Sequence, residues 1–291
     1  MTNSIAAVAW FILSLIVSIF NDTLTKVLND SVSASTIAFW RFSFSFILLI
    51  PIVIRFGLNS IKTSKIYIHM LRGFILAAAM SLWCYGIKFV PIATVTLMSF
   101  TIPMFTILMA IVFLREKVSF EILIATFIGF TGSIMTLSSQ NIKFSLISGI
   151  FIISSILFAT LDILNKMLLN SNEKILPMIF FSNLFSAIFI ICIPNTLAEA
   201  IQINYFQLAL LALLGVGANL ILFCIIKAFS KAPASFLAPV KYLELLMSTT
   251  IGFFFFKEVI SINILLGGVL IVLSSIIISH KLQDKTTAEK V

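Results

Sequence analysis

The stretch Trp83–Lys117, WCYGIKFVPIATVTLMSFTIPMFTILMAIVFLREK, has a counterpart in Ile225–Val259, IIKAFSKAPASFLAPVKYLELLMSTTIGFFFFKEV. In each, a lysine and then a proline interrupt an apolar run, and a glutamate beside a basic residue closes it. Aligning Pro91 with Pro233 also aligns Glu116 with Glu258, because both intervals are 25 residues. An earlier pair agrees at nearly the same offset. Asp22-x-x-x-Lys26 ends one apolar run and Asp162-x-x-x-Lys166 ends another. Matched spacings at offsets of 142 and 140 residues point to one unit present twice.

Outward from these segments the whole chain divides into apolar runs. Ten can be drawn, at about 4–27, 33–55, 66–88, 91–113, 119–138, 145–169, 175–194, 205–228, 233–256 and 260–280. Each is near the roughly 20 residues that a membrane-crossing helix needs. Polar breaks separate them at Asn29-Asp30-Ser31, Asn59 to Lys65, Arg115-Glu116-Lys117, Ser138 to Lys143, Asn170 to Lys174 and Asn195 to Asn204. Lys88 to Pro91 and Ser230 to Pro233 are tight turns, with a proline at the next helix start where its missing N–H costs nothing. Five spans per unit is odd, so the second unit enters the membrane from the opposite face. The expected fold is an all-α integral membrane protein of ten transmembrane helices arranged as two inverted five-helix repeats. The repeats are 1–143 and 144–280, and 281–291 is expected to be a disordered, polar cytoplasmic tail.

Composition agrees. Hydrophobic residues make up 60% of the 291 and charged residues 10%, against about 45–50% and 25% in a soluble domain. Soluble enzymes, nucleic-acid binders and disulfide scaffolds are thereby excluded as classes. The net charge of +8 is read by location. Thirteen lysines and arginines, among them Arg72, Arg115 and Lys166, fall on the side of both termini, and four (Lys26, Lys88, Lys143 and Lys257) fall opposite. The positive-inside rule then places both termini in the cytoplasm. The first run, from Ile5, has no basic n-region or cleavage motif and is read as a retained helix. Cys84, Cys192 and Cys224 sit inside apolar runs without metal-ligand spacing, so no metal site is expected.

The ionisable residues inside the runs carry the functional reading, because a charge at mid-bilayer costs about 2.5–3.5 kcal/mol on insertion scales. Glu244 is the deepest, about 16 Å along a helix counted from Pro233 at roughly 1.5 Å per residue. Lys241 lies three residues earlier, on the same face. One reading is a substrate site, with Glu244 meeting a cation and Lys241 a carboxylate. The other is a self-neutralising pair that only orders the bundle. Arg41 can clamp a carboxylate, pair with Asp22 or Glu244, or reach the surface. Asp22 and Asp162 each precede a lysine by four residues. This suits helix pairing and leaves room for gating or coupling. Trp40, Trp83 and Tyr242 can stack on a flat ring or simply pack. Asn21, Asn165, Asn183 and Asn219 suit interhelical bonding. The two histidines, His69 and His280, lie near run ends, and the HExxH and Gly-x-Ser-x-Gly motifs of enzymes are absent from the sequence. Gly215-Val216-Gly217 follows no strand and lacks a third glycine, so it is not a nucleotide fingerprint. No P-loop is present, which leaves a gradient or counter-exchange as the driving force.

The two-by-five layout, the two proline turns and the tails Leu114-Arg115-Glu116-Lys117 and Phe256-Lys257-Glu258-Val259 together resemble the drug/metabolite transporter superfamily of EamA type. Each tail is followed by a glycine-bearing helix, with Gly129 and Gly132 in the first and Gly267 and Gly268 in the second. The likeness covers essentially the whole chain and is greatest to S-adenosylmethionine uptake carriers of obligate intracellular bacteria. It implies a bacterial inner-membrane carrier with a central cavity, alternating access, a small zwitterionic substrate, lipid surroundings and no cofactor. Intrinsic exchange against S-adenosylhomocysteine is compatible with such a carrier. Export of amino acids or drugs is the alternative within the superfamily.

Overall fold

The computed structural model describes residues 2–89, 98–137, 148–247 and 262–288. The described residues are helical, with no strand among them. The helices are α1 (Thr2–Asn29), α2 (Ala34–Phe56), α3 (Ile66–Phe89), α4 (Thr101–Phe113) and α5 (Phe120–Leu137). They continue as α6 (Ser148–Asn170), α7 (Ile175–Ile191), α8 (Tyr205–Phe229) and α9 (Ile262–Ala288). Between α8 and α9 lies a broken segment, with an α-turn at Ala234–Leu237 and 3₁₀ winding at Ala238–Tyr242. Helices α1, α2, α3, α6 and α8 are long and apolar enough to cross a membrane, and α4, α5 and α7 are shorter apolar helices.

Local sequence explains the ends. Ser33 caps α2 by accepting from the Thr36 N–H, and Gly57 stops it at φ +78°, a conformation open to glycine without a Cβ penalty. Asn204 and Gln207 form a reciprocal capping box at the start of α8. A short helix at Thr196–Ala200 occupies the expected polar break after α7.

Several expectations change. The ninth span is not a continuous helix from Pro233. Pro239 has no N–H for the Ser235 carbonyl and its ring crowds that turn, so the helix tightens to 3₁₀. The helix of the tenth span continues to Ala288, past the expected boundary at 280 and into the segment expected to be disordered. Arg72 is not a loop cation, being 1% exposed inside α3. The Pro91 turn, the Ser138 to Lys143 break and the Phe256-Lys257-Glu258-Val259 tail lie outside the described residues.

Packing between helices comes in mates. Helix α1 packs on α8, and α3 on α6. Likewise α3 packs on α7, and α2 on α8. The remaining large contacts are α2 with α7, α5 with α9 and α4 with α6. Small residues let these helices approach. Ser45 Oγ donates to the Gly215 carbonyl and Ser186 Oγ donates to the Gly73 carbonyl, each at 2.9 Å. Gly132 lies against the Gly267 carbonyl, where a Cβ would come within 2.7 Å. The asparagines bridge helices, Asn21 to the Leu214 carbonyl and Asn183 to Asn219, which in turn donates to the Ser45 carbonyl.

Candidate functional site

A central cavity opens between α1, α2, α3, α6, α8 and the broken segment. It holds about 1080 Å³ of atom-free space including its open mouth. Helix α1 presents Phe11, Ser14, Leu15, Ser18 and Asp22 to it, a single stripe at helical spacing. Helix α2 contributes Arg41, α3 contributes Met80 and Trp83, and α6 contributes Phe158, Asp162 and Asn165. The broken segment adds Lys241 and Glu244.

Six of the residues singled out in the sequence therefore converge: Asp22, Arg41, Trp83, Asp162, Lys241 and Glu244. The Lys241 Nζ and Glu244 Oε2 atoms are 3.3 Å apart, with side chains 19% and 8% exposed. The 3₁₀ winding just before Glu244 brings positions i and i+3 onto one line. The contact lacks hydrogen-bond geometry, so Oε2 keeps its acceptor capacity. Asp162 accepts from Thr106 Oγ1 at 3.4 Å. The Trp83 indole neighbours Asp22 and meets Phe151 and Phe158 edge-on, with ring centroids 5.3 and 5.8 Å away.

Arg41 is the least satisfied charge in the site. It is 6% exposed. Its Nη1 donates to the Met80 sulfur at 3.5 Å, and its Nε has no partner. Among the described residues, no carboxylate lies within 4 Å of it. A thioether is a weak acceptor, and a buried guanidinium with no anion is expensive. Neither the pairing with Asp22 or Glu244 nor the reach to the surface considered from sequence occurs.

Two expected substrate contacts lie off the cavity. Trp40 precedes Arg41 by one helical step of about 100°, so with Arg41 inward Trp40 points away. Its Nε1 donates to the Ala200 carbonyl at 3.2 Å and its ring stacks on Phe44 at 5.1 Å. Tyr242 is fully buried against α5, with its ring over Gly129 and its hydroxyl donating to the Phe100 carbonyl at 3.5 Å. Being one residue past Lys241, it faces the bundle rather than the cavity. The Asp162–Lys166 helix pair also does not form. Lys166 Nζ instead donates to the Phe229 and Ala232 carbonyls at 2.7 and 2.9 Å, closing the end of α8.

Other site residues were not singled out. Ser14 and Ser18 share a face with Asp22 at intervals of four, a signal present in the sequence. Asn165, expected from the sequence to bond between helices, does so and joins the cavity to a buried network. Its Oδ1 accepts from Arg72 Nη2 at 2.5 Å, and Arg72 Nη1 also meets the Met178 carbonyl and His69 Nδ1. His69 Nε2 contacts Glu173 Oε1 at 3.2 Å. Glu116, read only as a repeat marker, accepts from the backbone N–H groups of Ala234 and Ser235 and from the Ser235 hydroxyl. It fastens the start of the broken segment.

Among the described residues, apolar helices long enough to cross a membrane surround a charged cavity. The EamA-like transporter family matches residues 5–138 and, a second time, 146–280, and the chain belongs to that family. It is 36% identical over 284 residues to the S-adenosylmethionine uptake transporter of Rickettsia bellii (strain RML369-C), covering 98% of this chain and 96% of that one. The corresponding transporter of Rickettsia conorii (strain ATCC VR-613 / Malish 7) is 37% identical, over 95% of this chain and 93% of its own. A riboflavin transporter of Brucella anthropi is 27% identical over 87% of this chain and 89% of its own. A solved crystal structure with 13% identity superposes with a TM-score of 0.75 over 95% of this chain and 96% of its own, a likeness of fold alone.

Proposed function

We propose that this chain takes up S-adenosylmethionine across a bacterial inner membrane, as a secondary-active carrier working by alternating access. The observation that carries the substrate is the 36–37% identity, over nearly the full length, to transporters named for that uptake. The cavity suits such a ligand. It offers charges of both signs and, in Trp83 and Phe158, aromatic surface for a purine. Glu244, Lys241, Arg41 and Trp83 would contact substrate.

Ten spans in two inverted five-helix halves are the proposed layout. Counting the broken segment as the ninth span, a shift of five spans turns the α1–α8 contact into α6–α3 and the α3–α7 contact into α8–α2. The Ser45–Gly215 and Ser186–Gly73 bonds exchange in the same way. This pairing supports a pseudo-two-fold axis, as does the double family match. The site at the broken helix accords with the discontinuous helices of such carriers. Both termini are assigned to the cytoplasm from the lysine and arginine bias. S-adenosylhomocysteine, which presents the same adenosyl and amino-acid ends, is the counter-substrate assigned for exchange.

The test is uptake of radiolabelled S-adenosylmethionine by cells expressing the chain, with excess unlabelled S-adenosylhomocysteine, methionine, phenylalanine or adenosine. Saturable uptake that S-adenosylhomocysteine competes and the fragments do not is the expected outcome. Absence of uptake with membrane insertion confirmed rejects the reading.

A further inference from the structure

The cavity contains five formal charges, from Arg41, Lys241, Asp22, Asp162 and Glu244. Lys241 and Glu244 neutralise each other at 3.3 Å. That leaves one cation, Arg41, and two acids, Asp22 and Asp162, none with an opposite charge within 4 Å among the described residues. The unspent set is therefore one positive and two negative charges. A ligand that completes it carries one anion and two cations. S-adenosylmethionine has that inventory: a carboxylate, an α-ammonium and a sulfonium.

Placement follows from which acid each cation sees. Asp22, on α1, lies within electrostatic reach of Arg41 as well as of Glu244 and Lys241, whereas Asp162, on α6, meets Lys241 and Thr106. In an α-amino acid the ammonium is one carbon from the carboxylate, so both must bind near one another. Resting on the carrier reading above, we infer that Arg41 and Asp22 form the amino-acid clamp, Arg41 holding the carboxylate and Asp22 the ammonium, while Asp162 on α6 receives the sulfonium. The Nε and Nη2 edge of Arg41 is the side free to take a carboxylate in the two-bond manner. Asp22 thereby passes from a gating element to a substrate ligand. Asp162 becomes the group that separates S-adenosylmethionine from its uncharged thioether, S-adenosylhomocysteine.

The assignment is tested with three ligands differing by one charged group each: S-adenosylmethionine, S-adenosylhomocysteine and decarboxylated S-adenosylmethionine. Binding to the full chain in lipid nanodiscs is measured for wild type, Arg41→Gln, Asp22→Asn and Asp162→Asn. Wild type is expected to bind the decarboxylated ligand about a hundredfold more weakly, the scale for losing one partner of a buried charge pair. Arg41→Gln removes that difference, because it weakens only the ligands that carry a carboxylate. Asp162→Asn weakens S-adenosylmethionine about tenfold or more and leaves S-adenosylhomocysteine within threefold, by the same reasoning. Asp22→Asn weakens both.

Wild type that binds all three ligands equally overturns the assignment while leaving the carrier reading intact. So does an Asp162→Asn variant that keeps the wild-type preference for the sulfonium. Wild type that binds none of the three refutes the substrate reading on which the assignment rests. The three-ligand comparison on wild type needs no variant to fold.

Discussion

Gly73 and Gly215 give the repeat packing a quantitative test. A Cβ built on Gly73 would overlap the Phe185 Cβ and lie 3.2 Å from the Phe185 Cα and carbonyl carbon. One on Gly215 would lie 2.6 Å from the Phe44 Cβ, 3.0 Å from the Ser45 nitrogen and 3.2 Å from the Arg41 carbonyl oxygen. Most of these neighbours are backbone or Cβ atoms, which cannot rotate aside, so the α3–α7 or the α2–α8 contact must widen. Widening also stretches the 2.9 Å serine bond beside each glycine. Interhelical bonds in membranes are worth about 0.6 kcal/mol on average, and overpacking costs about 1–3 kcal/mol. Gly73→Ala and Gly215→Ala should each destabilise by about 1–3 kcal/mol in all. At roughly 2–4 °C per kcal/mol, Tm falls by several degrees. Gly149 has nothing within 4 Å of its added Cβ, so Gly149→Ala should be neutral or stabilise by up to about 1 kcal/mol. Thermal unfolding of purified protein in detergent reads all three. Gly215→Ala should also reduce uptake more than Gly73→Ala, because the displaced helix carries Arg41. A Gly73→Ala protein as stable as wild type, or a Gly149→Ala protein equally damaged, would refute the close-packing argument.

Three further outcomes are expected. Glu244→Gln leaves Lys241 as an uncompensated cation in the cavity and should cut S-adenosylmethionine uptake at least tenfold, by the cost of breaking a partly buried pair; unchanged transport kinetics would remove Glu244 from the site. Glu116→Ala deletes the cap on Ala234 and Ser235 and should cost about 0.5–2 kcal/mol of thermal stability, and Glu116→Gln less, since its amide oxygen still accepts; equal stability of all three proteins would contradict the cap. Cys192 is exposed while Cys84 and Cys224 are buried, and the proposed topology places the C-terminal end of α7 outside the cytoplasm. A membrane-impermeant maleimide should therefore label intact cells at Cys192, and labelling only after lysis would invert the orientation.

Legibility in the sequence followed the physics of each feature. Elements defined by an apolar run and a cap were readable locally. Examples are α2, at Ala34–Phe56 against a run drawn at about 33–55, and α8, at Tyr205–Phe229 against about 205–228. The cost of charge in hydrocarbon made Asp22, Arg41, Asp162, Lys241 and Glu244 visible as candidates, and all five line one cavity. Local spacing misled where a distant partner offered more. Lys166 stands four residues from Asp162, yet its Nζ donates instead to two open carbonyls at the end of α8. Tyr242 and Trp40 each adjoin a cavity residue in sequence, and adjacency on a helix turns a side chain away rather than alongside.

The amino-acid sequence alone determined that the chain is a repeated membrane-helix protein, because hydropathy, charge bias and motif spacing are sums over local residues. It singled out the charges that burial in hydrocarbon makes costly. Only the tertiary structure decided who pairs with whom. Lys241 spends its charge on Glu244, Arg72 is buried among Asn165, His69 and the Met178 carbonyl, and Arg41 is left facing the cavity without an anion. Those outcomes depend on contacts between helices far apart in sequence, where the nearest carbonyl or carboxylate in space, and not the nearest in sequence, satisfies a buried charge.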